Sequence, residues 1–286
     1  MASLRDIRTR IGSVKNTKQI TSAMKMVSAA KLKRATDAAV RARPYQQTLA
    51  ATLKRVAAAA GEGVSHPLLT ARTDVKKVLV LWIGTDRGLC GGFNANLNRR
   101  TLEFVAKLKA EGKTVDVRSW GKKPRDFLKT RHAGASSTVD MTPAKFAATA
   151  NALADEAAAL FTAGAYDEVY LAYNAFKNTL TQVPSVARVL PFALEAGAVA
   201  DGTEYIYEPS GPEMLAALLP LALRTQVLQA FLETEAGEHA ARMTAMDNAT
   251  RNASDLIAAL TLEYNRGRQA AITKELIEIV SGAEAL

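Results

Sequence analysis

A chain of 286 residues, 48% apolar and only 6% aromatic, has room for a sizeable core and leans toward helix rather than sheet. Its single cysteine, Cys90, excludes an internal disulfide, and the longest apolar runs, 78–84 and 214–223, fall short of the roughly 20 residues a membrane span needs. The net charge of +9 is concentrated at one end: residues 1–60 carry 13 Lys and Arg against two acids, while residues 212–286 carry 6 bases against 10 acids. The basic segment therefore either lies along the acidic one, meets an acidic or phosphate-bearing partner, or is simply solvated.

Residues 3–43 contain no proline and read as one helix, with Ser3 as its N-cap and Asp6 as a carboxylate in the first turn. The Arg-rich start has no apolar signal segment and continues unbroken as helix, which sets it apart from a cleaved leader. Ile7, Ile11 and Val14 follow a 4-then-3 spacing, and so do Ile20, Met24 and Val27. The phase slips between Val14 and Ile20, so the pattern predicts two short seams with a shift. Pro44 is expected to kink or interrupt the helix, which resumes to about residue 60 and ends at Gly61 and Gly63.

After a linker over 61–74, a β-branched-rich run predicts a strand over 75–84. Helix over 93–111, strand over 114–120, a short helix over 124–130, helix over 143–163 and strand over 168–176 come next. Residues 179–190 read as extended, and Pro184 marks them as an edge strand. This alternation implies an α/β domain with a mostly parallel sheet. Residues 195–211 form a loop, after which helix runs from 212 to about 280, bent near Pro220, with Gly282 as a C′ cap.

Within that last helix His239, Met243, Met246, Thr250, Ala253, Ile257, Leu260, Tyr264, Gly267 and Ala271 follow 4-3 spacing, a coiled-coil seam. The stretch 221–280 would span about 90 Å at 1.5 Å per residue, so part of it must project from a domain of this size. The simplest arrangement pairs the two terminal helices antiparallel. It divides the chain into a helix at 1–60, an α/β domain with a loop at 61–211, and a helix at 212–286. Such an organisation suggests mechanical work rather than chemistry in a pocket.

The glycine-rich turn Gly84-Thr85-Asp86-Arg87-Gly88-Leu89-Cys90-Gly91-Gly92-Phe93-Asn94 could cradle a phosphate, but it lacks both Gly-Lys-Ser/Thr and Gly-x-Gly-x-x-Gly. A tight βα turn is the plainer reading. Cys90 reads as a small buried hydrophobe, and His66, His132 and His239 have no metal-ligand spacing. No catalytic triad or paired catalytic carboxylates stand out. The basic first helix has few aromatics for stacking against nucleic acid. Leu276, Ile277, Ile279 and Val280 make the last helix end apolar, so either a partner or the first helix must cover it.

Several motifs carry a family resemblance. They are Ile272-Thr273-Lys274-Glu275-Leu276-Ile277-Glu278-Ile279-Val280-Ser281-Gly282-Ala283-Glu284-Ala285, Ile7-Arg8-Thr9-Arg10-Ile11-Gly12-Ser13-Val14 with its continuation to Lys31, Arg43-Pro44-Tyr45, the turn from Asp86 to Asn94, Tyr205-Ile206-Tyr207-Glu208-Pro209, Ala241-Arg242-Met243 and Tyr264-Asn265-Arg266. With these the chain resembles the gamma subunits of F-type ATP synthases over its whole length.

The resemblance implies a central rotor stalk: a coiled coil of both termini carrying an inserted Rossmann-like α/β domain. Its implied partners are the hexamer of alpha and beta subunits, the epsilon subunit and the membrane ring of c subunits. One copy per complex is implied, without homo-oligomer or nucleic acid, on the cytoplasmic face of a bacterial inner membrane. ATP, ADP and Mg would lie in the alpha and beta subunits, leaving this chain with no catalytic residue, cofactor or metal. Rotation would couple proton flow to ATP synthesis or hydrolysis, with regulation of both.

Carried over by position, Met24, Lys25, Arg242, Arg268, Gln269, Thr273 and Glu275 would contact beta, and Leu276, Ile277, Ile279 and Val280 would form the bearing tip in the hexamer. Tyr205, Tyr207, Glu208, Lys31 and Lys33 would form the foot toward epsilon and the c ring. The rival classes are a nucleic-acid-binding coiled coil built on the basic helix and a Rossmann-like enzyme using the 84–92 loop.

Overall fold

In the computed structural model, residues 3–60, 66–129, 136–138, 141–193, 208 and 210–284 are described. Helix α1 spans Leu4–Ala60, strand β1 Lys77–Ile83, helix α2 Phe93–Ala110, strand β2 Thr114–Trp120, helix α3 Lys122–Lys129 and strand β3 Ser136–Thr138. A single 3₁₀ turn, Pro143–Lys145, leads into α4 (Phe146–Thr162), followed by β4 (Glu168–Phe176), β5 (Gln182–Leu190) and α5 (Gly211–Glu284). The chain divides into two compact units: Ala30–Ala241, and Met1–Ala29 with Arg242–Leu286. Each long helix contributes to both.

The α1 start forms as the sequence implies. The Asp6 N–H donates to Ser3 Oγ at 3.2 Å, and the Ser3 N–H donates to Asp6 Oδ2 at 3.1 Å, a reciprocal cap of two orphan amides. These bonds to Ser3 hold the Asp6 carboxyl below its ordinary pKa. Pro44 does not end the helix. A proline inside a helix costs about 3 kcal/mol, but Leu49, Leu53 and Val56 beyond it are buried in the core, and that packing keeps the turn helical. At the other end Gly282 lies inside α5 rather than capping it. Gly61, Gly63 and most of the 195–211 loop lie outside the described residues.

In the larger unit, five strands form one sheet in the order β3-β2-β1-β4-β5, parallel except for β5, which runs antiparallel to β4 at the edge. The predicted mostly parallel α/β sheet with a proline-marked edge is what forms; the three-residue β3 is too short to carry a periodic signal. Central β1 shows why the sheet is double-sided. Its alternate residues Leu79, Leu81 and Ile83 join one core with α4, the end of α1 and the first turns of α5. Val78, Val80 and Trp82 join the other, with Leu97, Val105 and Leu108 of α2 and Leu128 of α3. Phe146 stacks at 5.3 Å on Phe231, tying α4 to α5.

One 18-residue stretch of α5 is apolar enough by length and composition to cross a membrane, and 44% of it is buried inside the protein. Leu215, Leu219, Leu223, Val227 and Phe231 of the same helix are core residues.

A single carboxylate fixes how β1 enters the sheet. Asp167 accepts the N–H groups of Lys76 and Lys77 at 2.8 Å each and pairs with Arg72 at 2.9 Å. Burial pushes its pKa up, but the two amides and the guanidinium outweigh that and hold it below the usual carboxylate range. A group depressed in this way contributes stability that is complete above its unfolded pKa and is lost as pH falls through the folded one. Asp167→Asn is therefore expected to lower the thermal midpoint at neutral pH and to flatten its decline between neutral and acidic buffers. Melts of both proteins across that range check it, and parallel pH profiles count against it.

Candidate partner-binding surface

The smaller unit is a helix pair. The buried and half-buried positions on α1 include Leu4, Ile7, Ile11, Val14, Thr21, Lys25 and Ser28 at 3-4 spacing, and those on α5 include Met246, Thr250, Ala253, Ile257, Leu260, Tyr264, Gly267 and Ala271. The α5 stripe is the predicted seam. The contacts run in opposite directions along the two helices. The Thr21 and Thr250 hydroxyls lie 2.8 Å apart, Lys25 Nζ meets Asp247 at 2.5 Å, and a Cβ on Gly267 would lie 3.0 Å from Leu4 Cδ2. The terminal helices are thus antiparallel, as expected.

The predicted phase slip in α1 does not occur. Counting on from Val14, the seam passes through Thr21, Lys25 and Ser28, polar residues that an apolar count skips. Thr21 faces Thr250, and Asp247 supplies the countercharge to Lys25 and also pairs with Arg251. The bonds from Lys25, then those from Arg251, hold the Asp247 carboxyl below its ordinary pKa. Ile20 and Val27, expected on the seam, are instead 60% and 57% exposed, as is their neighbour Met26 at 65%. Met24 is half-buried.

Beyond Ala271 the pairing stops. Leu4 already faces Gly267, so no described α1 residue stands opposite Ile272 or the residues beyond it. Every residue from Ile272 to Ser281 is exposed, and Leu276, Ile277, Ile279 and Val280 are between 56 and 68% exposed. The first helix does not cover this end. Little else holds this stretch locally: the Thr273 hydroxyl donates to the Gln269 carbonyl at 2.9 Å, and Lys274 lies 3.5 Å from Glu278. Arg268, Gln269 and Glu275 are exposed beside it, whereas Arg242 is buried within the protein.

In the larger unit Lys31 and Lys33 are exposed on α1, and Lys31 borders a cavity of about 580 Å³ shared with Arg34, Arg87, Glu235, Glu238 and His239. Glu208 is exposed; Tyr205, Tyr207 and His132 lie outside the described residues. The glycine-rich turn is closed by its own bonds. The buried Thr85 hydroxyl lies 3.0 Å from the Arg87 carbonyl and 2.9 Å from Asn94 Oδ1, and Asp86 Oδ1 accepts the Lys122 N–H at 2.9 Å. Leu89 and Gly91 take positive φ, and Gly121 is φ +101 with Thr85 backbone 2.9 Å from where a Cβ would sit. The loop is a tight βα turn. Among the described residues no group of His, Cys, Asp and Glu is arranged to hold a metal.

A family model described as ATP synthase matches residues 3–286. The chain is 49% identical over 293 residues to an ATP synthase gamma chain of Hyphomonas neptunium and 46% identical over 288 residues to one of Trichlorobacter lovleyi, in each case across the full length of this chain and 99–100% of the relative.

The chain belongs to the ATP synthase gamma-chain family.

Solved structures agree. The central stalk and c-ring structure of Tetrahymena thermophila mitochondrial ATP synthase is 26% identical, with a TM-score of 0.57 over 80% of this chain and 99% of that one. A Euglena gracilis mitochondrial ATP synthase structure in rotational state 3 is 23% identical, with a TM-score of 0.68 over 99% of this chain and 94% of that one, and shares the fold.

The run of large apolar residues in the sequence marked the α5 end. No such run marked the outward α1 face of Ile20, Met26 and Val27. A strict 3-4 count from Leu4, blind to polarity, finds it. Because the side chains of Leu276, Ile277, Ile279 and Val280 touch so little of the chain, replacing all four with Ser is expected to leave the melting temperature unchanged while reducing aggregation and binding of an apolar dye. A lowered melting temperature shows instead that they are part of the fold.

Proposed function

We propose that this gamma chain is the turning central stalk of its ATP synthase, coupling proton flow through a membrane ring of c subunits to ATP synthesis or hydrolysis in the beta subunits. The observation that carries this reading is the unpaired, apolar α5 end from Ile272 onward. A helix that turns with one broad apolar face at 276, 277, 279 and 280, and Glu275 and Glu278 on the opposite side, needs an apolar lining at every orientation, which a sleeve gives and a flat partner does not. A ring of alpha and beta subunits supplies such a sleeve, with Leu276, Ile277, Ile279 and Val280 as the bearing.

In this reading Arg268, Gln269, Thr273 and Glu275, exposed next to the bearing, make polar contacts to beta, and Met24 and Lys25 face an acidic part of it. Lys25 is shared between Asp247 of this chain and beta, and Arg242, buried in this protein, acts on beta by shaping the helix pair that beta meets. The foot toward epsilon and the c ring comprises Lys31, Lys33, Tyr205, Tyr207 and Glu208. Nucleotide and Mg belong to the alpha and beta subunits, and the chain acts without catalytic residues of its own, at the cytoplasmic face of a bacterial membrane. It regulates hydrolysis and proton flow through the same contacts.

Turning shifts each beta subunit's conformational equilibrium only through contacts that differ between orientations. The contacts must therefore be breakable, which suits exposed charges worth about 0–1 kcal/mol each. Stiffness comes from the seam, where Leu260 is buried.

Co-expression with alpha and beta subunits is expected to yield one complex with a single copy of this chain; the four-Ser variant should be recovered in it at reduced yield. Recovery of the wild-type chain alone sinks the assignment. Leu260→Pro, costing about 3 kcal/mol or more in a helix, is expected to lower proton pumping per ATP hydrolysed more than nucleotide affinity. Equal losses in both would speak against transmission through the seam.

A further inference from the structure

The end of β4 is held in an unusual way. Its register with β1 stops at Trp82 against Ala172, yet β4 runs on to Phe176. The overhang has no strand beside it where β1 has ended, and buried main-chain groups left without partners are costly. Two charged side chains take the place of the missing strand. The Phe176 N–H donates to Glu233 Oε2 at 3.1 Å, and its carbonyl accepts from Arg43 Nη2 at 2.8 Å.

Glu233 belongs to α5 and Arg43 to α1, so one residue of the sheet is gripped by both long helices. The two side chains are themselves 3.8 Å apart, and Gln229 Nε2, one turn earlier on α5, donates to Glu233 Oε1 at 2.8 Å. The Glu233 side chain is only 13% exposed, a setting in which charge-assisted hydrogen bonds are strong and directional. One turn further on, a Cβ at Gly237 would meet Phe93 Cε2 at 2.8 Å and Gln182 Cγ at 3.3 Å, so α5 lies directly against the starts of α2 and β5.

We propose that Arg43 and Glu233 are positioning residues that lock the sheet to both long helices at Phe176, so that sheet and helices turn as one body. The torque part of this rests on the rotor reading above. It also gives a task to the Arg43-Pro44-Tyr45 motif, which the partner contacts leave unused.

Two measurements test it. In the isolated chain, Glu233→Ala is expected to speed hydrogen exchange of the Phe176 amide about tenfold, the loss of one hydrogen bond to a charged group. Unchanged exchange overturns the lock. In the complex of this chain with the alpha and beta subunits, held by the hexamer, a bead is attached through Lys109→Cys on α2. Glu233→Ala should broaden the paused bead's angular distribution about twofold, with bead-free ATP hydrolysis and the melting temperature of the complex little changed. An assembled variant with the wild-type distribution overturns the torque role. Should Glu233→Ala not assemble, Glu233→Gln keeps an acceptor for the Phe176 N–H but removes the charge facing Arg43; it should broaden the distribution less, and no broadening overturns the role. A wild-type bead that never turns sinks the rotor reading, and the torque role with it, while amide exchange still decides the lock.

Discussion

Helix α5 must find cover for its apolar residues along 74 residues, and nothing among the described residues supplies it throughout. Between Gly211 and Ala241 the sheet, α4 and α1 bury it on several faces. Between Arg242 and Thr250 every residue but Asn248 is still at least half-buried, and between Arg251 and Ala271 burial narrows to a stripe. From Ile272 to Ser281 every position is exposed, and no described α1 residue stands opposite. The composition tracks this supply in part: Leu-rich in the core and small residues in the two-helix stripe. At the end it does not, for large apolar residues return where the chain offers them nothing. That mismatch between side chain and surroundings is what supports the proposed partner-binding role of this end, and it is an argument from packing.

The two-helix stripe is held by geometry more than by apolar area. Ala253, Gly267 and Ala271 let the helices approach closely, while Thr21, Lys25, Ser28 and Asp247 place polar groups at or beside the interface. Such groups add little net stability where they are partly exposed. What they do is discriminate, since a mispaired Lys25 loses its countercharge.

The parts of the fold legible in the sequence are those where one physical signal acts alone. The seam from Met246 to Ala271 has a single partner and a clean 4-3 spacing. Strands 114–120 and 168–176 are bounded by turns, and Ser3 with Asp6 is a local capping signal. Where two signals compete, the apolar count misleads. It placed Ile20 and Val27 on the seam because both are large and apolar, although they serve the outer face and polar residues serve the inner one. The proline signal likewise pointed to a kink or interruption at Pro44, where the packing of Leu49 and Leu53 keeps the helix continuous. The Arg43–Glu233 grip on Phe176 was invisible because it depends on how far β4 outruns β1, a register that no local pattern encodes. The apolar α5 end stood out in the sequence itself, whereas the roles of Arg268, Gln269 and Glu275 came only with the resemblance.

The cross-pairing of the helices has a mechanical consequence. Slide α5 along α1 by one heptad in one direction and Leu4 loses the notch at Gly267 to the bulk of Leu260, while Thr21 comes to face Met243. Slide it the other way and Thr21 faces Ile257, with Lys25 beside Ser254 instead of Asp247. Neither displaced alignment restores the pairing, so the two strands of the rod behave like a vernier with one coincidence. The pair resists telescoping, and axial load on either helix is shared by both.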